Sequence, residues 1–248
     1  MTLDNLQEYD DPVSYDQEND PYTEDIFFLA KWAEMVKGTI IDLACGTGRA
    51  SIPLAKQGHN LIGVDLHKGM LEQAKRKSEN LQIDWFEQDC SRLDLPVKSP
   101  FIFMTGNSFQ HFLTNEAQDQ LLTSVNKHLD NDGVFIFNTR FPAEEEILQS
   151  AVEEYWKSYK EDGQNVDVYT VEEYDALNQI QGCTTIRRYE DGNERKTNIR
   201  LRYVFPQEME RLINANGFQI LHLFGNWKEA PISNDSKEMI CVCKKTVK

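Results

Sequence analysis

The first 140 positions combine two spacings of apolar residues. Short apolar runs, such as 39-TIIDL-43, 60-NLIGVD-65 and 101-FIFMT-105, are separated by segments in which apolar residues recur every three or four positions. Strands that alternate with helices of roughly ten to fifteen residues are βαβ units. The pattern therefore predicts a parallel sheet with helices on both faces.

The spacing changes after Arg140. From about 155 to 205 the chain alternates, as in 166-VDVYTVEEYDAL-177, with turns at 161-EDGQN-165 and 190-EDGN-193, which is typical of antiparallel hairpins. A helix from Pro206 and two last strands then return to the first sheet. We expect one α/β domain with an inserted antiparallel β subdomain.

Four segments follow from these boundaries. Residues 1–37 are an N-terminal lid segment and helix, 38–140 the ligand-binding core, 141–205 the β insertion covering an acceptor site, and 206–248 the completion of the core sheet. Within the first segment, residues 1–19 are polar and expected to be irregular. Asp20 is expected to cap a helix that opens with Pro21.

Composition and charge narrow the function. The net charge of −15, without a compensating Lys/Arg stripe, argues against nucleic acid as a partner. The sequence offers neither a long apolar run for membrane insertion nor a signal peptide, so we expect a cytoplasmic protein. Five cysteines without a CxxC pair predict reduced thiols and no metal.

The stretch 40-IIDLACGTGRASIPLAKQG-58 carries the candidate ligand site. Gly46 and Gly48 let the backbone approach a ligand at a helix N-terminus, and Asp65, 19 residues after Gly46, ends the next strand where an acid can accept both hydroxyls of a ribose. A nicotinamide cofactor would call for a third glycine, but Ser51 stands there. Asp42 inside the strand favours a cofactor with an amino-acid end over a pyrophosphate.

Several stretches in order resemble the motifs of class I S-adenosylmethionine-dependent methyltransferases: 40-IIDLACGTGR-49, 63-GVDLHKGML-71, 85-WFEQDC-90, 104-MTGNSFQHFL-113 and 128-HLDNDGVFIFNTR-140. Ala44 replaces the usual first glycine. The resemblance implies a Rossmann-like fold with a seven-stranded mixed sheet in the order 3-2-1-4-5-7-6, its last strand antiparallel. It also implies S-adenosylmethionine as cofactor, with S-adenosylhomocysteine as product.

The resemblance assigns Asp65 to the ribose and Asp89 with Cys90 to the adenine. In related enzymes an N-terminal segment folds over the cofactor, which suggests a role for Tyr15; the alternative is a mobile acidic tail. The predicted cofactor-binding residues are Tyr15, Asp42, Ala44, Cys45, Gly46, Gly48, Arg49, Asp65, Leu66, Met70, Asp89, Cys90, Asn107 and Phe109.

Methyl transfer from a sulfonium depends mainly on alignment, so a general base is required only when the acceptor holds its proton. His111 is the candidate base; the alternative is a histidine that lines the pocket or bonds backbone. Arg49 faces either the cofactor carboxylate or solvent. Arg140 and Trp227 are candidate substrate contacts, and for Arg140 a structural ion pair is the alternative.

The predicted function is S-adenosylmethionine-dependent methyl transfer to N or O of a small molecule, by a monomer or homodimer. Two alternatives remain open. One is a protein that binds S-adenosylmethionine or S-adenosylhomocysteine without transferase activity, and the other is a nicotinamide-dependent oxidoreductase.

Overall fold

The computed structural model describes residues 5–148, 151–161 and 163–246. The first four residues of the predicted lid segment lie outside this range. The strands of the larger sheet are β1 (Ile40–Leu43), β2 (Leu61–Asp65), β3 (Ile83–Glu87), β4 (Ser99–Met104), β5 (Leu129–Arg140), β10 (Phe218–Phe224) and β11 (Glu238–Lys245). A smaller sheet contains β6 (Glu154–Glu161), β7 (Gln164–Asp175), β8 (Ile180–Tyr189) and β9 (Glu194–Arg202).

The helices are α1 (Pro12–Asn19), α2 (Glu24–Glu34), α3 (Ser51–Lys56), α4 (Lys68–Lys77), α5 (Asn115–His128), α6 (Glu144–Ile147) and α7 (Pro206–Ala215). Short 3-10 turns occupy Gln7–Tyr9, Cys90–Arg92 and Ser108–His111. None of the described helices combines the length and apolar content that a membrane crossing requires.

The larger sheet runs in the order β10-β11-β5-β4-β1-β2-β3. Strands β1 to β5 pair in parallel, whereas β11 is antiparallel to both β5 and β10. Counted within this sheet, that is the predicted order 3-2-1-4-5-7-6 with an antiparallel last strand, so the predicted fold class is confirmed. The carboxyl ends of β1, β2, β3 and β4 meet at one edge, where the ligand crevice of an open α/β sheet lies.

Apolar residues cover both faces of this sheet. One core cluster includes Ile41, Phe135 and Phe137, and the other includes Ile40, Phe101 and Ile136, so neighbouring residues of one strand serve opposite faces. Cys241 and Cys243 are fully buried in β11 as free thiols, in keeping with their interpretation as small hydrophobic residues. The rigid sheet fixes the positions of the loops that follow its strands.

The smaller sheet is antiparallel throughout, in the order β6-β7-β8-β9. The inward face of β8 is polar, because Gln181, Thr185 and Arg187 are all buried. A polar inward face calls for polar partners: Gln181 donates to Glu172 of β7, and Arg187 donates to Glu8 and Glu18 at the start of the chain.

Residues 5–19, here called the cover segment, contain a helix where the sequence predicted irregular chain. The side chain of Asp11 accepts a hydrogen bond from the backbone N–H of Ser14, and Pro12 occupies the first helical position of α1. The next helix also starts later than predicted, at Glu24 after Thr23 rather than at Pro21. The first prediction was wrong because α1 is polar on all sides: its buried residues are Ser14 and Asp16.

Candidate functional site

The glycine loop follows directly from β1. Ala44, Gly46 and Gly48 adopt positive φ angles of 53°, 55° and 82°. A side chain at Gly48 would meet Trp85, because an added Cβ would lie 2.7 Å from its ring. The loop therefore turns tightly at the start of α3, and the backbone N–H groups of Cys45, Gly46 and Gly48 are bonded to Val64, Asp65 and Cys45 respectively.

Asp42 lies at the centre of the site and is 1% exposed. Its Oδ2 accepts a hydrogen bond of 2.6 Å from Ser51 Oγ, which ties β1 to the start of α3. Burial raises the pKa of Asp42 to about 8, and this effect outweighs the opposing contributions of Ser51 and Arg49. The carboxyl is thus poised to ionise when a cation arrives beside it.

Asp65 ends β2, and its carboxylate accepts backbone N–H groups from Gly46 and His67, each at 2.8 Å. Burial raises its pKa, although these hydrogen bonds oppose the shift. Met70 is buried beside the loop, since its Cε lies 3.3 Å from a Cβ placed on Gly46. Leu66 lies next to Asp65 in the same turn and is partly buried. The ribose contact predicted for this corner stays a prediction.

Asp89 and Cys90 lie beyond the end of β3. The Asp89 carboxylate accepts the backbone N–H of Ser91 at 2.9 Å and so caps a short 3-10 turn. Cys90 is buried against the backbone of Ala44, and burial raises the pKa of its thiol. Cys90 therefore borders the glycine loop, and Asp89 precedes Cys90 in the chain.

The turn after β4 contributes Asn107 in a left-handed conformation, with φ of 59°. Its backbone N–H donates to Asn138 Oδ1 at 3.1 Å, and Asn138 Nδ2 donates to its side-chain oxygen at 2.9 Å. Phe109 points elsewhere: it is fully buried, with its ring stacked on Phe137 at a centroid distance of 4.7 Å. The structure therefore places the Phe109 side chain in the core below the crevice.

These elements enclose a small cavity of about 30 Å³. Its lining residues are Tyr15, Asp42, Ala44, Cys45, Gly46, Thr47, Arg49, Ala50, Thr105, Gly106 and Ser108. Six of the predicted cofactor residues are among them: Tyr15, Asp42, Ala44, Cys45, Gly46 and Arg49. This free volume holds about one water molecule.

The cover segment closes this cavity through Asp16. Its carboxylate accepts hydrogen bonds from Thr47 Oγ1 at 2.5 Å, Gln73 Nε2 at 2.7 Å and Lys77 Nζ at 2.7 Å. Asp16 was not among the predicted site residues. The Asp11-Pro12 pair, which begins five residues earlier, signals the start of a capped helix. It does not indicate where that helix packs.

Arg49 leaves the loop toward α2 and forms a two-point ion pair. Its Nη1 and Nη2 lie 2.9 and 2.5 Å from the two carboxylate oxygens of Asp25, which is fully buried. Its Nη1 also donates to the carbonyl of Tyr22 at 2.8 Å. The guanidinium lines the cavity with these partners in place, so the alternative of a solvated arginine does not describe it.

His111 is 4% exposed, and the cover segment contacts both of its ring nitrogens. Tyr9 Oη lies 2.8 Å from Nε2, and Asn5 Nδ2 lies 2.9 Å from Nδ1. Burial lowers the pKa of His111 to about 4, because the charged imidazolium is disfavoured away from water. His111 is therefore neutral near pH 7.

The two predicted substrate contacts occupy different surroundings. Arg140 ends β5, with Nη1 3.8 Å from Oε1 of Glu172 on β7, so it joins the core to the smaller sheet. Trp227 is 4% exposed and packs edge-on against Phe28 at a centroid distance of 5.5 Å. The structure brings Arg140 to the crevice edge and places Trp227 in the core cluster beside α2.

A second, wider cleft of about 360 Å³ lies at the opposite edge of the sheet, before β4. Residues Leu95, Pro96, Val97, Lys98, Asn126, Lys127, His128 and Lys245 line it. None of the glycine-loop or buried acidic residues reaches this cleft, so the smaller cavity is the candidate site.

Comparison with known proteins shows which proteins this chain resembles. Residues 40–133, from β1 into β5, match a family model described as a methyltransferase domain. A putative methyltransferase of Geobacillus sp. (strain WCH70) is 28% identical over 116 residues, which make up 46% of this chain and 47% of the relative. The chain thus matches about half the length of that relative.

Two further relatives extend over most of the chain. Cypemycin N-terminal methyltransferase from Streptomyces sp. is 24% identical over 213 residues, which cover 82% of each protein. The structure of the CcbJ methyltransferase from Streptomyces caelestis superposes with a TM-score of 0.80 at 20% identity, covering 92% of this chain and 96% of that one. At 20% identity, the similarity to the CcbJ structure shows a shared fold.

Proposed function

We propose that this chain, a class I S-adenosylmethionine-dependent methyltransferase, moves a methyl group from S-adenosylmethionine to a nitrogen or oxygen atom of a small molecule. The observation that carries this proposal is the covered cavity between the glycine loop, Asp42 and Tyr15. It lies at a tightly turned glycine loop, with Asp42 buried near the end of β1 and Asp65 partly buried at the end of β2.

The residues of the cavity fit the two ends of this cofactor. Asp42, whose pKa is about 8, suits a site that receives an ammonium group, since a positive charge favours its ionised form. Asp65 accepts two backbone N–H groups and is positioned to exchange them for the hydroxyls of a ribose. When bound, S-adenosylmethionine supplies a methyl group already activated by its sulfonium. The protein therefore has to align the acceptor atom with this methyl group and exclude water from both.

Two observations favour a small, polar acceptor. Nucleic acid is disfavoured by the net charge of −15. Within the described part of the chain, the amide atoms of Gln110 and the hydroxyl of Thr139 are buried without a hydrogen-bond partner. They are the chain neighbours of His111 and Arg140, in the turn after β4 and at the end of β5, and a polar acceptor bound against them would satisfy such groups.

Nitrogen is the first acceptor atom to test. The name of the Streptomyces relative describes an N-terminal methyltransferase, and an amine attacks through its own lone pair without a base of high pKa. His111 is neutral, and both of its ring nitrogens have hydrogen-bond partners. This is consistent with a reaction whose rate depends mainly on the alignment of the acceptor with the methyl group.

The first experiment is isothermal titration of the full chain with S-adenosylhomocysteine, with NADH in parallel. We expect micromolar binding of S-adenosylhomocysteine and none of NADH. A panel of primary amines, amino sugars and short peptides is then incubated with S-adenosylmethionine and screened by mass spectrometry for the gain of one methyl group. Binding of NADH alone would overturn the proposal, and cofactor binding without any turnover would favour a binding protein without transferase activity.

A further inference from the structure

Asn5 is held by the backbone of β9 in one orientation only. Its Oδ1 accepts the N–H of Arg200 at 2.6 Å, and its Nδ2 donates to the carbonyl of the same residue at 2.9 Å. Rotating the Asn5 amide by 180° would place Nδ2 against the N–H of Arg200 and Oδ1 against its carbonyl. A donor would then face a donor, and an acceptor would face an acceptor. The backbone of Arg200 therefore fixes which atom of Asn5 faces His111: it is Nδ2, a donor, at 2.9 Å from Nδ1.

This donor fixes the tautomer of His111. Because Asn5 donates to Nδ1, that nitrogen uses its lone pair, and the neutral ring carries its proton on Nε2. Nε2–H then donates to Tyr9 Oη at 2.8 Å. The donor and the acceptor of each hydrogen bond are therefore defined: the Arg200 backbone orients Asn5, Asn5 donates to His111, and His111 donates to Tyr9.

The Tyr9 oxygen retains one lone pair and one O–H group for other partners, because a hydroxyl has two acceptor positions and one donor. Tyr9 lies beside the cavity: its ring centroid is 5.7 Å from that of Tyr15, which lines the cavity, and 5.7 Å from that of His111. Asp65 raises and Arg140 lowers the pKa of Tyr9, so its hydroxyl is near both of these charged groups.

We infer that Tyr9 is a catalytic residue whose oxygen accepts an N–H from the methyl acceptor and thereby aims the nitrogen lone pair, while His111 and Asn5 are positioning residues that set this polarity. The inference rests on the proposed function and extends it to named groups. It also replaces the candidate role of His111 as a base, since its Nδ1 lone pair is already used by Asn5.

The reaction balances without a protein base. The nitrogen lone pair forms the new C–N bond while the C–S bond breaks and its electron pair stays on sulfur. The acceptor nitrogen, now positively charged, gives its proton to water. Tyr9 stays neutral throughout, because burial and the nearby Tyr15 and Glu8 raise its pKa well above that of a free phenol.

The tautomer can be tested without any ligand by ¹⁵N NMR of the histidine rings. His111 is assigned from the signals that disappear in His111→Gln. At pH 7 we expect a protonated Nε2 and an unprotonated Nδ1. In Asn5→Asp an oxygen faces Nδ1 instead, and we expect Nδ1 to become protonated. A protonated Nδ1 in the unmodified protein would overturn the inference.

The contact with the acceptor is tested with sinefungin, an analogue that carries an amine in place of the sulfonium methyl group, compared with S-adenosylhomocysteine, which lacks it. Tyr9→Phe and His111→Leu should each weaken sinefungin binding by about tenfold and change S-adenosylhomocysteine binding by less than about twofold. His111→Gln, which retains an N–H donor, should lose less. Tyr155→Phe is the matched control, because Tyr155 is 59% exposed on the smaller sheet.

The outcomes separate the two proposals. Equal weakening of both ligands, or of neither, would limit Tyr9 to a structural role and overturn this inference alone. Failure of the unmodified protein to bind either ligand would contradict the proposed function and this inference with it.

Discussion

The seven-stranded core and the cover segment are stabilised by different interactions. In the core, strands such as β1 are buried at every position, and aromatic side chains such as Phe101 and Phe103 fill the space beneath the helices. The cover segment buries Ser14 and Asp16 in α1 and is held by charged and hydrogen-bonding groups. Burial of apolar surface is insensitive to salt and nearly insensitive to pH, whereas ion pairs respond to both.

Arg187 shows how the cover segment is attached. It lies on the inward face of β8, 5% exposed, and pairs with Glu8 and with Glu18, the latter at 2.8 Å. Lys157 lies 3.0 Å from the same Glu18. The cover segment is therefore attached to strands β6 and β8 of the smaller sheet through charge, whereas the core is stabilised by apolar packing.

The largest expected effect lies in the core. Phe101→Ala removes a fully buried ring from β4 and should lower the free energy of unfolding by about 3–5 kcal/mol, measured by urea denaturation. Leu177 is 91% exposed in the turn after β7, and Leu177→Ala should change the free energy of unfolding by less than about 0.5 kcal/mol. Similar losses in both variants would contradict the contrast between the two regions.

The second effect concerns pH at the junction of core and cover. The pKa of His111 is about 4 when folded and about 6.5 in an unfolded chain, because burial disfavours the imidazolium. Between these values the unfolded chain binds the extra proton, so His111 lowers stability progressively as the pH falls from about 6.5 to about 4. The full contribution is about 3 kcal/mol.

The measurement is the urea unfolding free energy of the unmodified protein and of His111→Gln across this pH range. The two curves should diverge, with the unmodified protein losing more stability toward acid. Parallel curves would mean that His111 titrates normally in the folded protein.

The third effect isolates the ionic attachment of the cover segment. Arg187→Met leaves Glu8 and Glu18 without their shared cation, and cleavage by a glutamate-specific protease within residues 5–19 should accelerate by about tenfold or more. Arg188→Met is the control, since Arg188 is on the opposite face of β8, and its side chain is 41% exposed with surface partners Glu153 and Glu194. Added salt should accelerate cleavage of the unmodified protein. Equal cleavage rates in both variants would argue against an ionic attachment.

The smallest effect addresses the core side of the cavity alone. Asp65→Ala should weaken S-adenosylhomocysteine binding several-fold, because a ribose diol would lose its acceptor, and should leave protease cleavage of the cover segment unchanged. Isothermal titration gives the first value and the protease assay the second. Unchanged affinity would mean that the ribose lies elsewhere.

The core could be predicted from sequence because its signals are local. Strand periodicity, the glycines at 46 and 48 and the acids at strand ends all lie within a few residues of the structure they specify. The order of the seven strands followed from the resemblance to a known family, and the smaller sheet from simple alternation. Loops that follow such strands are then fixed at one edge of the sheet.

The rest could not be predicted because it depends on contacts between distant segments. Asn5 reaches His111 across 106 positions and Arg200 across 195, and Arg49 finds Asp25 only when α2 packs beside the glycine loop. Helix α1 has no apolar stripe, so periodicity could not reveal it, although the Asp11-Pro12 pair signals its start. Phe109 was predicted to contact the cofactor, which stays a prediction; its ring stacks on Phe137 in the core, a contact between distant positions that the sequence pattern did not indicate.

The hydrogen bonds between the Asn5 side chain and the backbone of β9 also affect the tendency of the protein to self-associate. Strand β9 forms one edge of the smaller sheet, and the backbone N–H and carbonyl of Arg200 are engaged by the Asn5 side chain in place of a further strand. Exposed edge strands are the sites where a second chain adds by β-pairing, and natural proteins protect them. In its bound position the cover segment protects this edge, and detachment of the segment would expose a short template for aggregation. A bound ligand that keeps the cover segment closed should therefore also keep the protein dispersed.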